Sequence, residues 1–113
     1  MFECVFCKIA KGDIPARVAY EDEHILCFHD LEPQAPVHVL LIPRKHIESL
    51  DAAAGEDAAL LGHLLLSVRD IAARLGLENG YRLVNNCGED GMQTVKHLHF
   101  HLLGKRRLLW PPG

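Results

Sequence analysis

His97-Leu98-His99-Phe100-His101-Leu102-Leu103 is the stretch of the sequence that decides the fold. Three histidines alternate in it with bulky apolar residues, and alternation with a period of two is typical of a half-buried β-strand. The apolar residues would face a core, and the histidines would line the opposite face at a spacing of roughly 6–7 Å. Imidazole serves as nucleophile, acid, base or metal ligand near pH 7. The stretch therefore predicts a strand with one reactive face.

Two other interpretations of this histidine face are open. The first is a polar face that only meets solvent, although such faces usually carry lysine, glutamate and threonine. The second is a catalytic metal site built on all three histidines, because neutral imidazole is a common metal ligand. On a flat strand the outer two histidines would lie roughly 13 Å apart, which is too far for one ion to reach all three comfortably.

Composition places the chain among ordinary globular proteins. Its 113 residues fit one domain, residues 1–113, that is long enough to bury a core. Hydrophobic residues make up 49% and charged residues 24% of the chain. The net charge of −3 argues against a general nucleic-acid binder, and the basic run at residues 105–107 is too short to change this. No nucleic-acid partner is expected.

Residues 1–4 lack the basic start and apolar run of a signal peptide. The apolar runs at residues 39–42 and 64–66 are far shorter than a membrane span. We therefore predict a cytoplasmic protein with no membrane partner. In that compartment four cysteines should be reduced thiols, namely Cys4, Cys7, Cys27 and Cys87.

The Cys4-x-x-Cys7 pair is ambiguous by itself between metal ligation and redox chemistry. A redox pair would be expected after a strand, and this pair precedes every predicted strand. Zinc binding is the favoured functional interpretation, and chance spacing of two buried thiols is the alternative.

The remaining pattern predicts five strands and two helices. A short helix follows the cysteine pair and ends at Gly12, and a long amphipathic helix spans residues 51–75 with Gly76 after it. The strands are predicted at residues 17–20, 24–28, 37–42, 81–86 and 97–103. Such hairpin-like order with one long and one short helix gives an α+β domain on a five-stranded antiparallel sheet.

Two further segments carry possible function. The glycine-containing loop at residues 88–94 leads into the histidine strand and can turn backbone N–H groups toward an anion; an ordinary hairpin loop is the alternative. The tail at residues 108–113 carries Trp110, the single tryptophan. An exposed tryptophan there suggests docking on another surface, such as a partner subunit.

These residues together resemble the Hint branch of the histidine triad (HIT) superfamily, whose motif is His-φ-His-φ-His-φ-φ, with φ an apolar residue. The resemblance extends over nearly the whole chain. It rests on the histidine stretch and on Asp13-Ile14-Pro15-Ala16, Phe28-His29-Asp30, Pro33-Gln34-Ala35-Pro36, Ile42-Pro43, Lys45-His46, Leu61-Gly62-His63, Gly80-Tyr81-Arg82 and Trp110-Pro111-Pro112-Gly113.

The resemblance implies a HIT-like fold and a homodimer with a continuous ten-stranded sheet. It also implies hydrolysis of purine nucleoside 5′-phosphoramidates, such as adenosine 5′-monophosphoramidate or nucleotides amide-linked to lysine. His99 would be the nucleophile that forms a nucleotidyl-histidine intermediate. His101 would bind the phosphate or the leaving group and assist proton transfer, and His97 would help to orient the nucleophile.

The same resemblance assigns the substrate-binding residues. Asp30 would bind both ribose hydroxyls, and Trp110 is counted with the substrate-binding residues. The donors around the phosphate would be Asn86, Gln93 and Thr94, and the apolar slot for the base would be Phe6, Ile9, Ile14, Phe28 and Leu31. Thr94 stands where the family often has serine, and Lys96 where it often has tyrosine.

The cysteine pair resembles the zinc-bearing bacterial members of the superfamily, and animal Hint proteins lack it. The resemblance implies one zinc held by Cys4, Cys7, His46 and His97. Two cysteines and two histidines form a closed tetrahedral set, which suits a structural site and leaves no open position for catalysis.

Two related functions stay open beside the phosphoramidase. One is a dinucleoside polyphosphate hydrolase or transferase of the same superfamily, against which the Trp-Pro-Pro-Gly ending and the Pro33–Pro36 loop argue. The other is a nucleotide-binding regulatory module with vestigial catalysis, against which the complete triad argues. An apolar slot selects a base by its shape, so the sequence does not predict whether adenine or guanine is preferred.

Overall fold

The computed structural model describes residues 4–113. Within them the helices are α1 (Val5–Lys11) and α2 (Ala58–Arg74), and Leu50–Ala52 and Gly55–Asp57 form 3₁₀ turns. The strands are β1 (Val18–Glu21), β2 (Ile25–His29), β3 (Val37–Pro43), β4 (Tyr81–Asn85) and β5 (Phe100–Gly104). They form one antiparallel sheet in the order β1-β2-β3-β5-β4. The predicted α+β class and the five-stranded sheet are confirmed.

Each face of the sheet is covered by one helix. Strand β3 lies at the centre, and its side chains alternate between the two faces, as the pleat of a strand requires. Val39 and Leu41 join the core under α2, whereas Leu40 and Ile42 join a smaller core with Phe6 of α1. A nearly continuous apolar strand is expected where both faces are buried.

Both helices end at a glycine in the left-handed region. Gly12 has a φ of 84° and Gly76 a φ of 74°, a conformation that costs glycine little. After α2, the N–H of Gly76 donates to the carbonyl of Ala73 and that of Leu77 to the carbonyl of Ala72. This pair of bonds is the Schellman arrangement of a helix end, and it confirms the stop predicted at Gly76.

The predicted start of the long helix at residue 51 is wrong. The Ser49 hydroxyl accepts the N–H of Ala52 at 3.2 Å, and Asp57 accepts the N–H of Ala54 at 2.9 Å. Both side chains cap short turns, and capping side chains compete with a continuing helix. The α-helix therefore begins only at Ala58. No helix in the described chain is long and apolar enough to cross a membrane.

The histidine stretch is shorter as a strand than predicted. Ladder pairing begins at Phe100, and residues 97–99 lie outside the strand. The N–H of Leu98 donates instead to the carbonyl of Ile47 at 2.6 Å. The alternation is nevertheless as predicted, because Leu98, Phe100 and Leu102 all lie in the core under α2.

Candidate active site and metal cluster

The central triad histidine has a fixed proton position. His99 is 4% exposed, and its Nδ1 lies 2.7 Å from the carbonyl oxygen of His97. A carbonyl only accepts, so Nδ1 must carry the proton and donate it. In the neutral ring this leaves Nε2 with a free lone pair. His99 therefore has the form of a nucleophile.

His101 has the opposite proton position, which a histidine outside the triad sets. The backbone N–H of Gln34 donates to His38 Nδ1 at 3.0 Å, so the proton of neutral His38 is on Nε2. His38 Nε2 lies 2.9 Å from His101 Nδ1 and donates to it. His101 therefore keeps its own proton on Nε2. The rings of His99 and His101 are 5.3 Å apart between centroids, so two neighbouring rings have opposite tautomers.

His38 is a site residue that the sequence prediction missed. It is 5% exposed and begins the buried part of β3. The available signal was its polarity, since every other residue from 37 to 43 is apolar. A buried polar side chain needs a partner, and that requirement points to a second polar group on a neighbouring strand.

Burial keeps both members of this histidine pair neutral. Desolvation, together with the neighbouring His99 and His38, lowers the pKa of His101 to about 4. Desolvation also lowers the pKa of His38, and the Asp30 carboxylate opposes that shift. Neutral rings at pH 7 allow the donor and acceptor assignments made above.

Asp30 stands beside this pair at the end of β2. Its Oδ2 lies 3.4 Å from His38 Nε2, and its Oδ1 accepts the backbone N–H of Glu32 at 2.8 Å. A carboxylate has about four acceptor positions, so Asp30 keeps acceptor capacity for hydroxyl groups of a ligand.

A second cluster joins α1 to the histidine strand and could hold a metal. Its ligand atoms, from Cys4, Cys7, His46 and His97, all lie within 4.8 Å of one another. The sulfur-to-nitrogen distances are 3.3–3.5 Å, and the two Nδ1 atoms are 3.2 Å apart. A tetrahedral site with metal–sulfur bonds near 2.3 Å and metal–nitrogen bonds near 2.0–2.1 Å gives ligand separations of roughly 3.3–3.8 Å. The four residues therefore fit one tetrahedral ion.

The proton on His97 supports this interpretation. His97 Nε2 lies 2.8 Å from the carbonyl oxygen of Pro43 and donates to it. Nδ1 is then unprotonated and faces the cysteines, as in metal sites where a carbonyl orients the ligating imidazole. Cys4 and Cys7 are free thiols, and burial raises the pKa of Cys7. A bound cation would compensate for the charge of the thiolates.

The Asp30–His38–His101 group is equally compact but fits a metal poorly. A metal on His38 Nε2 would move the proton of the ring to Nδ1. That proton would then face the N–H of Gln34, which donates to Nδ1 at 3.0 Å. Two donors pointing at each other are unfavourable, so this group is a hydrogen-bonded relay.

The ring of Phe6 packs against the ring of His99. Its ring centroid lies 5.2 Å from that of His99 and 5.6 Å from that of Phe28, in edge-to-face geometry. Phe6 sits between the two cysteines of the metal cluster in sequence. Phe6 thus connects the segment that carries the two cysteines to the ring of His99.

The other predicted slot residues are distributed more widely. Ile9 packs against the core of Phe6 and Phe28, and it lines a cavity of about 390 Å³ together with Ile14. Leu31 is 97% and Trp110 81% exposed. The structure therefore groups Phe6, Phe28 and Ile9 and leaves Leu31 and Trp110 open to solvent. A cavity of about 490 Å³ between α2 and the chain after β5 contains none of the predicted site residues.

The amide side chains predicted to bind the phosphate also hold their own loop. Gln93 Nε2 donates to the carbonyls of Glu48 and Val95, at 2.8 and 3.0 Å. Asn86 Nδ2 donates to the carbonyl of Gly91 at 2.6 Å, which leaves Asn86 a second amide hydrogen. Thr94 is exposed at the end of this loop. A phosphate contact is thus open to Asn86 and Thr94, whereas both donor hydrogens of Gln93 are already used.

Comparison with known proteins shows similarity along nearly the whole chain. The family model described as "Scavenger mRNA decapping enzyme C-term binding" matches residues 3–108. An uncharacterized HIT-like protein of Synechococcus elongatus is 56% identical over 111 residues, which is 98% of this chain and 97% of that protein.

Solved structures give the same result. A HIT family hydrolase from Legionella pneumophila matches with a TM-score of 0.96 at 50% identity, covering 98% of this chain and 100% of that one. A histidine triad nucleotide-binding protein from Candida albicans matches with a TM-score of 0.85 at 34% identity, covering 94% and 77%. Since the similarity runs from the cysteine pair to beyond the histidine strand, the chain belongs to the histidine triad (HIT) family.

Proposed function

We propose that this protein hydrolyses purine nucleoside 5′-phosphoramidates through a nucleotidyl intermediate on His99. The observation that carries the proposal is the complementary proton placement on adjacent rings, with a bare Nε2 on His99 and an Nε2–H on His101. A nucleophile beside an N–H donor suits transfer of a nucleotidyl group to an imidazole, because the N–H can hydrogen-bond to the phosphate or to the leaving nitrogen. The hydrolase and nucleotide-binding relatives named above support a nucleotide substrate.

In the first step His99 Nε2 would attack the α-phosphorus and the phosphorus–nitrogen bond would break. The departing nitrogen takes up one proton from solvent water, and His101 Nε2–H assists by donating a hydrogen bond to the phosphate or to that nitrogen. The attacking ring of His99 becomes an imidazolium, and its Nδ1–H still donates to the carbonyl of His97. In the second step water attacks the phosphorus, the bond to His99 breaks, and the water releases one proton to solvent. A covalent intermediate divides one difficult displacement into two easier ones.

Nucleotide binding would use the surrounding residues. Asp30 would accept the ribose hydroxyls with its remaining acceptor positions. Asn86 and Thr94 would donate to the phosphate, and Gln93 would hold the loop that presents them. The base would lie on the apolar side of α1, against Phe6, Ile9, Ile14 and Phe28, with the exposed side chain of Leu31 covering it. Trp110, which lies in the tail, would also contact the substrate.

We propose zinc for the cluster of Cys4, Cys7, His46 and His97, because two thiolates and two imidazoles in tetrahedral placement suit that ion. When bound it would supply a structural cross-link between α1 and the histidine strand. We further propose a cytoplasmic homodimer with purine nucleotides as small-molecule partners.

The decisive experiment compares wild type with His99→Ala on a panel of substrates. The panel contains adenosine and guanosine 5′-phosphoramidates and a dinucleoside polyphosphate. His99→Ala should lose on the order of 10³-fold or more in kcat and still bind AMP. His24→Ala, a histidine on the exposed turn after β1, is the matched control.

Each outcome of the panel decides between functions. Phosphoramidate turnover by His99→Ala at the wild-type rate would contradict the mechanism. Faster wild-type cleavage of the dinucleoside polyphosphate would favour the polyphosphate hydrolase, and binding without any turnover would favour a regulatory nucleotide-binding module.

A further inference from the structure

We infer that the backbone N–H of Gln34 is a positioning group that locks the ring tautomer of His101, and that Arg106 holds this N–H in place. The inference deepens the proposed function, since it rests on His101 presenting its Nε2–H as a hydrogen-bond donor to the phosphate or the leaving nitrogen there. In this inference the loop between β2 and β3 supplies the N–H that sets the tautomer, and the segment after β5 supplies the arginine that holds it.

The loop that carries Gln34 is bonded to itself and to β3. The N–H of Asp30 donates to the carbonyl of His38 at 3.0 Å. Asp30 Oδ1 then accepts the N–H of Glu32, and the Gln34 amide group donates to the carbonyl of Glu32. The loop also contains two prolines, whose φ angles are fixed. The Gln34 N–H is therefore presented to His38 by a stiff segment.

This N–H has a chemical consequence because a neutral imidazole has one proton. Nδ1 of His38 receives the Gln34 N–H at 3.0 Å, so His38 must carry its proton on Nε2. That proton faces His101 Nδ1 at 2.9 Å. His101 is thereby prevented from holding its proton on Nδ1. Without the Gln34 donor either tautomer of the pair would satisfy the contact between the two rings.

Asp30 does not change this assignment. Its Oδ2 is 3.4 Å from His38 Nε2, which is 0.5 Å farther than His101 Nδ1. A carboxylate only accepts, so it also favours a proton on His38 Nε2. The Asp30 carboxylate thus favours the same tautomer of His38 as the Gln34 donor does.

Arg106, two residues after the end of β5, connects Gln34 to the strand that carries His101. Its Nε donates to the carbonyl of Gln34 at 3.0 Å. Lys105, which precedes it, has a φ of 69°. A left-handed conformation is uncommon at a lysine, and here it turns the chain out of β5 toward the loop. Gln34 is thus held through its N–H by His38 of β3 and through its carbonyl by Arg106 in the segment after β5.

The first test is the nitrogen-15 NMR spectrum of the histidine rings in the wild-type protein without substrate at pH 7. The inference predicts that His38 and His101 carry their ring proton on Nε2. His99 should carry its ring proton on Nδ1, which provides an internal contrast. A proton on Nδ1 of His38 would overturn the inference. Because no substrate is present, this outcome is independent of whether phosphoramidates are hydrolysed.

The second test compares Gln34→Pro with Gln34→Ala. Both remove the side-chain amide, and only proline removes the backbone donor. Gln34→Pro should be slower in kcat than Gln34→Ala by about tenfold or more, with similar affinity for AMP and with the tautomers of His38 and His101 redistributed. Equal kcat values for the two variants would overturn the inference.

Arg106 supplies a pair of variants that leaves the loop backbone intact. Arg106→Ala should lower kcat by about threefold to tenfold, and Arg106→Lys should recover part of this loss because an ammonium also donates to the Gln34 carbonyl. A fall in thermal stability with unchanged kcat would show a merely structural contact and would contradict the role of Arg106. This pair also decides the matter if Gln34→Pro does not fold.

Discussion

At the scale of single residues, the three histidines of the motif differ chemically because each ring has one hydrogen-bond partner that sets its tautomer. His97 donates to the carbonyl of Pro43 and turns Nδ1 toward the metal cluster. His99 donates to the carbonyl of His97 and exposes Nε2. His101 accepts from His38 and keeps a proton on Nε2. A neutral imidazole has only two tautomers, so one fixed contact at each ring is sufficient to separate the roles.

The sequence could identify the triad and the four metal-cluster residues, because their spacing resembles a family pattern. It could not identify the contact between His38 and His101. These residues are 63 positions apart in the chain, and their contact depends on β3 lying next to β5 in the sheet. Nor could spacing show that the Gln93 amide is already bonded to Glu48 and Val95. Pairings between distant segments are decided by packing.

Asp22 gives a prediction about stability at this scale. Its carboxylate accepts four hydrogen bonds of 2.7–2.9 Å, from the N–H groups of His24 and Ile25, the hydroxyl of Tyr20 and the ring of His63. Burial alone would raise the pKa of Asp22, but these bonds outweigh it and lower the pKa well below its usual range. Asp22→Ala should reduce the free energy of unfolding by about 1–3 kcal/mol at pH 7, as measured by urea denaturation.

The pH dependence of this effect has a defined sign. A carboxylate with a lowered pKa in the folded state stabilises the protein above its unfolded pKa of about 4. The contribution is lost as the pH falls toward the folded pKa, so the difference between wild type and Asp22→Ala should shrink below pH 4. Glu23→Ala in the same exposed turn is the control. A difference that grows on acidification would contradict the assignment.

At the scale of elements, α1 depends on its attachments. Seven residues are too few for a stable isolated helix. The metal cluster holds its first turn, and Arg44 donates to the carbonyl of Ala10 at 2.8 Å near its end. Phe6, between these attachments, contacts His99. The helix therefore connects the candidate metal cluster to His99.

Cys7→Ser tests this connection. Native protein should contain about one zinc per chain, and the variant should release it. The melting temperature should fall by roughly 4–8 °C for each kcal/mol of lost stability, and some hydrolytic activity should remain because Cys7 does not touch the substrate. Cys87→Ser, outside the cluster, is the control. Native protein without metal by elemental analysis would contradict the zinc proposal.

The loop at residues 88–94 gives a second test at this scale. A Cβ at Gly91 would lie 2.4 Å from the carbonyl oxygen of Cys87, which is backbone and cannot move cheaply, whereas a Cβ at Gly62 meets nothing within 4 Å. Gly91→Ala should raise the KM for the nucleotide several-fold by displacing Asn86, which is bonded to the Gly91 carbonyl. Gly62→Ala, inside α2, should instead stabilise the protein by about 0.5–1 kcal/mol. An unchanged KM in Gly91→Ala would show that this loop does not contact the nucleotide.

The sequence predicted the types of the secondary-structure elements better than their boundaries. The stripe of leucines predicted α2 and its end correctly, because helical periodicity and a glycine stop are local signals. The start was misplaced because residues 52–54 are all alanine, a strong helix former. Their conformation is decided by Asp57, which bonds to Lys45 at 2.6 Å and to the N–H of Ala54. An ion pair with a residue before the helix is not a local signal.

At the scale of the whole molecule, the sheet has two edges that differ in character. Strand β1 has an irregularity in its register between Val18 and Tyr20, and such irregularities protect an edge from pairing. Strand β4 pairs with β5 in unbroken register. Arg82 on β4 donates to the carbonyl of Leu109 at 2.9 Å, which places the exposed apolar tail beside this edge. The β4 edge is therefore the one suited to joining a second sheet.

The proposed ten-stranded dimer would then form through β4 and not through β1. Sedimentation should give a particle of two 12.6 kDa chains. Tyr81 on β4 and Val18 on β1 are both 44% exposed, so Tyr81→Lys and Val18→Lys form a matched pair. Only Tyr81→Lys should shift the protein to monomer, because lysines on two antiparallel β4 edges repel each other and remain hydrated. A native monomer would contradict the dimer, and dissociation by Val18→Lys alone would move the interface to β1.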